Sequence, residues 1–495
     1  MLKAAPGALM LLFAVLPAAA QEPPPPRYLV ICLDGVGYDL VEEMHRRGEL
    51  ANFAPPRPLI NAFPSLTNLG LVEILQPVGA PPARGYEDFY FDPARNRLRG
   101  GIFHRMSRQH FIAGTYRDLF DSHPHQLSMT FEYALPVVGP WLNGVVNTAR
   151  IRDGFKKSVE RVYLAYYDAS DTAMHLNGRW LVREQLRVLN RLAGELRRDS
   201  SQPVEVILFS DHGNELRRLR RAGLETALRR AGFRLDSRLK DERSVVLPRF
   251  GLVAAAALYT QPGREAVAAH ALRSARGVDL VVYRDGDGLF VLGRDAEARV
   301  ERRLKDARSW FRYRAAAGDP LDLAPIIVSL AGRADADGFI AEDDWLSATA
   351  EHDYPDPLRR LWAGFDGLVE QPASVLVSLD DGFYTGSQLL DVFAWMQATH
   401  GNLRRAQSCG MILATDAALM PDGAPLTGEN FWSRIPAMHE IMTGETSTVA
   451  NAGPGEEPKR LAEADTEPPA RRGSLATWEC SHTPTLGRAD HFFPD

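Results

Sequence analysis

The chain has 495 residues, 45% of them hydrophobic and 24% charged, which is ordinary for a globular protein long enough to bury a large core and to exceed one simple domain. Its 57 basic and 63 acidic residues leave a formal net charge of -6, so nothing in the balance favours a nucleic-acid polymer as partner. Three cysteines make no disulfide framework.

Residues 1–20 read as an export signal: Lys3 supplies a positive start, Ala8 to Pro17 an apolar stretch, and Ala18-Ala19-Ala20 a small-residue cleavage site before Gln21. That stretch is too short for a comfortable membrane span, and no later segment approaches the roughly 20 apolar residues a spanning helix needs. Gln21 occupies the position a lipid-anchoring cysteine would take, so the expectation is a soluble exported protein, periplasmic or extracellular. Residues 21–26, ending in four prolines, form a stiff extended leader. Tyr28 to Leu33 is then a continuous apolar strand ending in Asp34-Gly35, followed by a helix over Val41 to Leu50. Cys32 in that strand reads as an inert buried thiol, whereas Cys409 and Cys480 could pair in an oxidising compartment.

The strand–turn–helix pattern recurs. A Pro64-Ser65 turn precedes a helix start at Asn68 to Leu75. Arg161 to Tyr167 is a strand ending at the Asp168 to Asp171 segment, Trp180 to Arg198 has helical periodicity, and the strand Val204 to Ser210 stops at Asp211-His212-Gly213. An α/β domain with a mostly parallel, buried sheet flanked by helices follows, with three polar segments just past the C-terminal ends of strands, where open α/β sheets bind ligands. Glu215 to Gly232 reads as helical, its arginines as a solvated face.

Residues 246–340 have their own rhythm: apolar Leu252 to Tyr259, a helix over Arg264 to Arg276, a strand Val278 to Arg284, a hairpin turn Asp285-Gly286-Asp287-Gly288 and a returning strand Leu289 to Leu292. This is a small α+β cap subdomain inserted between two parts of the core, 27–245 and 341–440. Ser374 to Ser378 reads as the return to the main sheet, leading to Asp380-Asp381-Gly382 and on to His400. Residues 441–495, rich in Gly, Ala, Pro, Glu and Arg without periodicity, form an unstructured tail.

Several polar residues carry chemistry. Thr67 stands at a helix start, where free backbone N–H groups and the positive dipole end suit an alkoxide and a phosphate, although Thr is also an ordinary cap there. Ser65 is a rival nucleophile nearer the turn proline. Asp171 and His175 stand four apart, so one helical face can offer both to one ion; Asp168 competes with Asp171. Asp211-His212 abruptly ends an apolar run, Asp34-Gly35 is also a common turn, and His400 before Gly401 is weak alone.

Taken together, these segments resemble the alkaline phosphatase superfamily, and within it the nucleotide pyrophosphatase/phosphodiesterase and phosphonoacetate hydrolase branch. Leu33-Asp34-Gly35 looks like the first metal Asp, Pro64-Ser65-Leu66-Thr67-Asn68 like the nucleophile turn, and Asp171 to Gly178 like the D-x-x-G-H-x-x-G ligand pair. Ser210-Asp211-His212-Gly213 is similar to the S-D-H-G signature, Thr399-His400-Gly401 to the terminal His-Gly, and Gly85 to Asp92 to the segment after the nucleophile helix. The resemblance runs from about Tyr28 to Ala417. Met174 stands where the family has Gly, Gly70 and Leu71 break the N-terminal helix pattern, and Gln76-Pro77 and Arg84-Gly85 depart in the pocket wall. The sulfatase pattern C/S-x-P-x-R is absent.

The resemblance implies two divalent ions, zinc before manganese or iron: Asp171, His175 and His400 would hold one, and Asp34, Asp211, His212 and Thr67 the other. It implies Thr67 as the nucleophile and Asn68, with the Thr67 backbone N–H, as donors to a non-bridging oxygen. The implied activity is hydrolysis of a small phosphodiester or nucleotide pyrophosphate. A monoester or phosphonate is second, and a transferase or a non-catalytic binding homologue remain as rivals.

Overall fold

The structure is a computed structural model that describes residues 24–101, 120–122, 132–133, 135–136, 138–249, 251–388, 396–435 and 438. The chain divides into two units, Met1–Thr448 and Val449–Asp495, and every described residue belongs to the first. The export signal at 1–20, the tail at 441–495 and Cys480 lie outside the described residues; Cys32 and Cys409 are buried free thiols.

Along the chain run β1 (Arg27–Leu33), α1 (Tyr38–Arg46), β2 (Arg57–Ile60), α2 (Thr67–Leu75), α3 (Gly139–Lys157), β3 (Val162–Tyr167), α4 (Ala169–Asn177), α5 (Arg179–Asp199) and β4 (Val204–Ser210). Then come β5 (Ala255–Leu258), α6 (Glu265–Leu272), β6 (Val278–Asp285), β7 (Gly288–Leu292), β8 (Glu297–Lys305), β9 (Arg308–Ala317), β10 (Ile340–Ala341), α7 (Pro357–Ala363), β11 (Val375–Leu379), β12 (Cys409–Ala414) and β13 (Leu426–Thr427).

Six strands build the central sheet in the order β13-β2-β12-β4-β1-β3. β1 pairs in parallel with both β3 and β4, and only β12 runs against the rest. The unbroken apolar character of β1 has a plain cause, since Tyr28 to Leu33 are all buried between helix layers. On one side α5 turns Leu181, Val182, Leu186, Leu189, Leu192 and Leu196 inward, a 3.6-residue rhythm. Each such side chain stabilises the fold by roughly 1.5–3 kcal/mol.

Register decides where the polar segments end up. Leu33 lies beside Tyr167 on one side and Ser210 on the other, so the residues that follow the three strands leave the sheet in a row. β2 is antiparallel to β12, with Ile60 opposite Cys409, which delivers the Asn61–Thr67 turn and the approach from His400 to that same edge. β2 and β13 join the other strands only through β12.

A second sheet of seven strands, all antiparallel, has the order β5-β11-β6-β7-β8-β9-β10. Here two expectations are corrected. The apolar run at Ser374 to Ser378 does form a strand, but β11 lies between β5 and β6 in this second sheet and does not return to the central one. The span Glu215 to Gly232 is helical only over Leu224–Arg230; before that, Glu215–Leu216 pairs with Ala398–Thr399 and Arg220–Arg221 with Phe383–Tyr384. Backbone partners outcompete helix propensity there.

Candidate metal and nucleophile site

Asp34, Thr67, Asp171, His175, Asp211, His212 and His400 converge at that strand edge. Two groups of donor atoms, Asp171–His175–His400 and Asp34–Asp171–His212, each have all their atoms within 4.8 Å of one another, with Asp171 common to both. α4 sets the first pair: four residues apart, the His175 Nε2 and Asp171 Oδ2 atoms are 3.0 Å apart. His212 Nε2 lies 3.3 Å from Asp34 Oδ1 and 3.9 Å from Asp211 Oδ2, and His400 Nε2 is 3.9 Å from Asp171 Oδ1.

The imidazoles share one arrangement. His175 Nδ1 faces the Ala398 carbonyl at 2.7 Å, His212 Nδ1 the Gly213 carbonyl at 2.8 Å, and His400 Nδ1 the Ser65 carbonyl at 2.9 Å. Each Nδ1 therefore carries a hydrogen, and each Nε2 is turned into the site, which is the orientation of a metal-ligating histidine.

Backbone conformation admits this crowding. Gly35 adopts φ +66°, and a Cβ there would sit 2.5 Å from Asp171 Oδ1. Gly70, which looks in the sequence like a flaw in the nucleophile helix, lets α2 press onto the Asp211 backbone, where a Cβ would lie 2.2 Å from the carbonyl oxygen.

Thr67 is the first residue of α2, with Leu66 as its N-cap and no side-chain cap hydrogen bond, so its hydroxyl is not used as a cap. Instead Thr67 Oγ1 donates toward Asp34 Oδ1 at 3.4 Å and stands 3.3 Å from His212 Nε2. Asn68 is buried beside it in the first turn, whose backbone N–H groups have no acceptor within the helix. Ser65 is 1% exposed and faces away, its hydroxyl bonded to Ala62 and Asn402 carbonyls at 3.1 and 3.0 Å. Asp168 also faces elsewhere, accepting from Asn143 and Asn147 at 3.0 and 2.8 Å.

Some contributors had no sequence signal. The Tyr166 hydroxyl donates to Asp34 Oδ2 at 2.5 Å, Asn214 Nδ2 to Asp171 Oδ1 at 2.9 Å, and Ser170 to the Asp34 carbonyl at 2.7 Å. Tyr166 is hidden in an apolar strand, whereas Asn214, directly after the Asp211-His212-Gly213 segment, could have been noticed.

Electrostatically the site is short of positive charge. Among the described residues no Lys or Arg pairs with Asp34, Asp171 or Asp211; their ion-pair partners are the histidines. Burial and the Asp171 carboxylate push Asp34 up, and burial pushes Asp211 up to about 8. Burial opposes charge on His212, yet Asp211, Asp34 and Asp171 outweigh it and raise it to about 10. Burial, reinforced by the charge of His212, whose ring centroid is 3.9 Å away, pulls His400 down to about 3. Asp171 is held well below the usual range by His175 and His400 despite its burial.

The donor set fits divalent cations. Asp211 Oδ1 accepts from the Gly35 N–H at 3.2 Å, but Oδ2 is buried with no hydrogen-bond partner among the described residues, an orphan that a cation would satisfy. Mixed imidazole and carboxylate ligands suit Zn²⁺.

No family model matches the chain, and no curated protein does. Among solved structures, murine ectonucleotide pyrophosphatase/phosphodiesterase 5 is similar at 12% identity, covering 86% of this chain and 97% of its own, with a TM-score of 0.39. Human ectonucleotide pyrophosphatase/phosphodiesterase 5 is similar at 12% identity over 86% and 97%, with a TM-score of 0.40. Phosphonoacetate hydrolase from Sinorhizobium meliloti, in complex with phosphonoformate, is similar at 12% identity over 84% and 95%, with a TM-score of 0.46.

Proposed function

We propose that the chain is a metal-dependent phosphoesterase of the nucleotide pyrophosphatase/phosphodiesterase branch of the alkaline phosphatase superfamily. The observation that carries this reading is the position of Thr67: a hydroxyl at the N-terminus of α2, 3.4 Å from Asp34 Oδ1 and 3.3 Å from His212 Nε2, beside a buried cluster of ligand-type side chains.

Asp171, His175 and His400 would hold one ion, and Asp34, Asp211, His212 and Thr67 the other. When bound, such ions lower the pKa of a hydroxyl and offset charge on the entering and leaving oxygens of an in-line displacement. The protein residues do the rest. Asp34 Oδ1 is the base nearest the Thr67 proton, since His212 Nε2 would be committed as a ligand. Thr67 Oγ forms a bond to phosphorus as the ester oxygen leaves with the electrons of the broken P–O bond, and water later cleaves the phospho-threonine, returning the hydroxyl. The first-turn N–H groups and the Asn68 amide stabilise the non-bridging oxygens through the transfer.

A phosphodiester or nucleotide pyrophosphate is the first substrate class and a monoester or phosphonate the second, with the inserted unit 246–340 as the cap that shapes the leaving-group side. Export through residues 1–20 belongs to the same reading. Among the described residues no helix is long and apolar enough to cross a membrane.

The test is hydrolysis of chromogenic phosphodiester, monoester and phosphonate ester substrates by zinc-loaded protein, beside Thr67→Ala. Turnover that disappears in the variant while the metals stay bound supports the nucleophile, and the preferred ester selects the substrate class. Two bound metals without turnover of any ester overturns the hydrolase reading in favour of a transferase or binding role.

A further inference from the structure

We infer that Arg360 is the positioning residue that fixes the Thr67 turn against the His400 loop. It belongs to α7, outside every segment of the site, in the sequence Asp356-Pro357-Leu358-Arg359-Arg360. In the structure Arg360 is 0% exposed.

Its surroundings are unusual for a buried cation. No carboxylate pairs with it among the described residues, in contrast to Arg359, which binds Glu73 at 2.5 Å and Glu429 at 3.3 Å. Arg360 instead spends its donors on carbonyls and hydroxyls from three stretches of chain. Nε donates to the Asn61 carbonyl at 2.6 Å. Nη1 donates to the carbonyls of Pro355 at 2.9 Å and Leu403 at 3.1 Å. Nη2 faces the Ala62 carbonyl at 3.3 Å, Ser65 Oγ at 3.1 Å and Ser408 Oγ at 2.5 Å.

These acceptors lie next to the site residues. Ser65 comes two positions before Thr67, and its carbonyl receives the His400 Nδ1 hydrogen that aims Nε2 inward. Leu403 follows His400 by three positions. Asn61 extends the connection, because its side-chain amide donates to the Ser210 carbonyl at 3.3 Å, immediately before Asp211. One rigid planar fork therefore ties together the loops bearing the nucleophile, the last histidine and the Asp211-His212 pair. A guanidinium suits that task because its donors diverge in a fixed plane, which an ammonium on a flexible stem cannot reproduce. Keeping an unpaired charge here is costly unless every donor is satisfied, and here every nitrogen has an acceptor.

The role deepens the phosphoesterase reading, so the test has one measurement that needs neither zinc nor turnover. Arg360→Lys and Ser65→Ala are compared with the unaltered chain. Ser65→Ala cuts the link to the hydroxyl but leaves the carbonyl that holds His400. First, the His400 Nδ1–H resonance, assigned with His400→Gln, is followed for solvent exchange. It is expected to exchange more than tenfold faster in Arg360→Lys and several-fold faster in Ser65→Ala, with circular dichroism unchanged. Second, zinc release to a chelator is expected to quicken and kcat to fall by about 10–100-fold in Arg360→Lys, with KM within twofold. Ethylguanidinium added to Arg360→Ala is expected to restore part of the loss.

Wild-type exchange of the His400 proton in Ser65→Ala together with a folded Arg360→Lys of unchanged kcat overturns the inference. If Arg360→Lys does not fold, Ser65→Ala decides: faster exchange supports the role and unchanged exchange refutes it. Slow exchange lost in the variants of a chain that binds no zinc leaves the positioning role standing and refutes the metal reading instead.

Discussion

Tyr166→Phe removes one oxygen from a residue outside the proposed ligand set, and it probes the site where the sequence is silent. The Tyr166 ring is 3% exposed and packs against Phe120 with centroids 5.5 Å apart, so phenylalanine keeps the packing. What goes is the 2.5 Å hydrogen bond from the hydroxyl to Asp34 Oδ2. A hydrogen bond to an ionised group contributes about 1.5–3 kcal/mol, and each 1.4 kcal/mol is a factor of about ten in an equilibrium constant. That bond matters most when Asp34 is ionised, the form that binds a cation. Without zinc, burial and Asp171 already push the Asp34 carboxyl up, and Tyr166 is one of the groups that restrain it. Losing the hydroxyl therefore raises proton competition as well as freeing the carboxylate to rotate. Zinc affinity at neutral pH should fall roughly 10–100-fold. Competition with a chromophoric chelator measures it, with the thermal midpoint as the check on folding. A folded variant whose zinc affinity stays within twofold of the original refutes the assignment of Asp34 as a ligand held by Tyr166.

Other outcomes follow from the same geometry. Thr67→Ala should lower turnover at least about 10³-fold while both metals remain, because the hydroxyl is lost but the carboxylate and imidazole ligands are not; metal analysis beside steady-state kinetics checks both halves. Gly70→Ala places a methyl 2.2 Å from the Asp211 carbonyl oxygen and should cost about 1–3 kcal/mol, read from the urea midpoint, with a parallel loss of zinc. In metal-free protein, Asp211 is raised to about 8 and His212 to about 10, so the folded chain holds protons the unfolded chain has released. The stability each contributes is lost as pH rises, from about 4 to 8 for Asp211 and from about 6.5 to 10 for His212. The metal-free thermal midpoint should therefore drop from pH 5 to pH 9, while zinc binding at pH 7 releases protons detectable as a buffer-dependent calorimetric enthalpy; a flat or rising midpoint contradicts the sign. Chelation should abolish turnover, and zinc should restore it.

Much of the central sheet was legible because period and punctuation agree: an unbroken apolar run such as Tyr28 to Leu33 halts at an aspartate, and the same occurs before Asp168 and Asp211. Those runs do not say which strands are neighbours. The apolar Ser374 to Ser378 looks identical to a central strand, and only pairing with β5 and β6 assigns it to the second sheet. Asp171 was separable from Asp168 by helical spacing, whereas Tyr166 was not separable from its apolar neighbours, since a single hydroxyl leaves no mark on hydropathy. Arg217 to Arg221 read as a helix face because local composition carries no information about the distant Phe383–Tyr384 strand with which Arg220 and Arg221 pair. Arg360 is the extreme case: apart from the nearby Pro355 carbonyl, its acceptors come from two remote segments, Asn61 to Ser65 and Leu403 to Ser408.

The order of strands also says what a shortened chain would lose. Among the described residues β12 is the strand that hydrogen-bonds both to β2, which leads into the Thr67 turn, and to β4, which ends at Asp211-His212, and His400 lies just ahead of it. A molecule truncated before residue 409 would keep every candidate ligand in its sequence while losing the strand that sets the two sides in register.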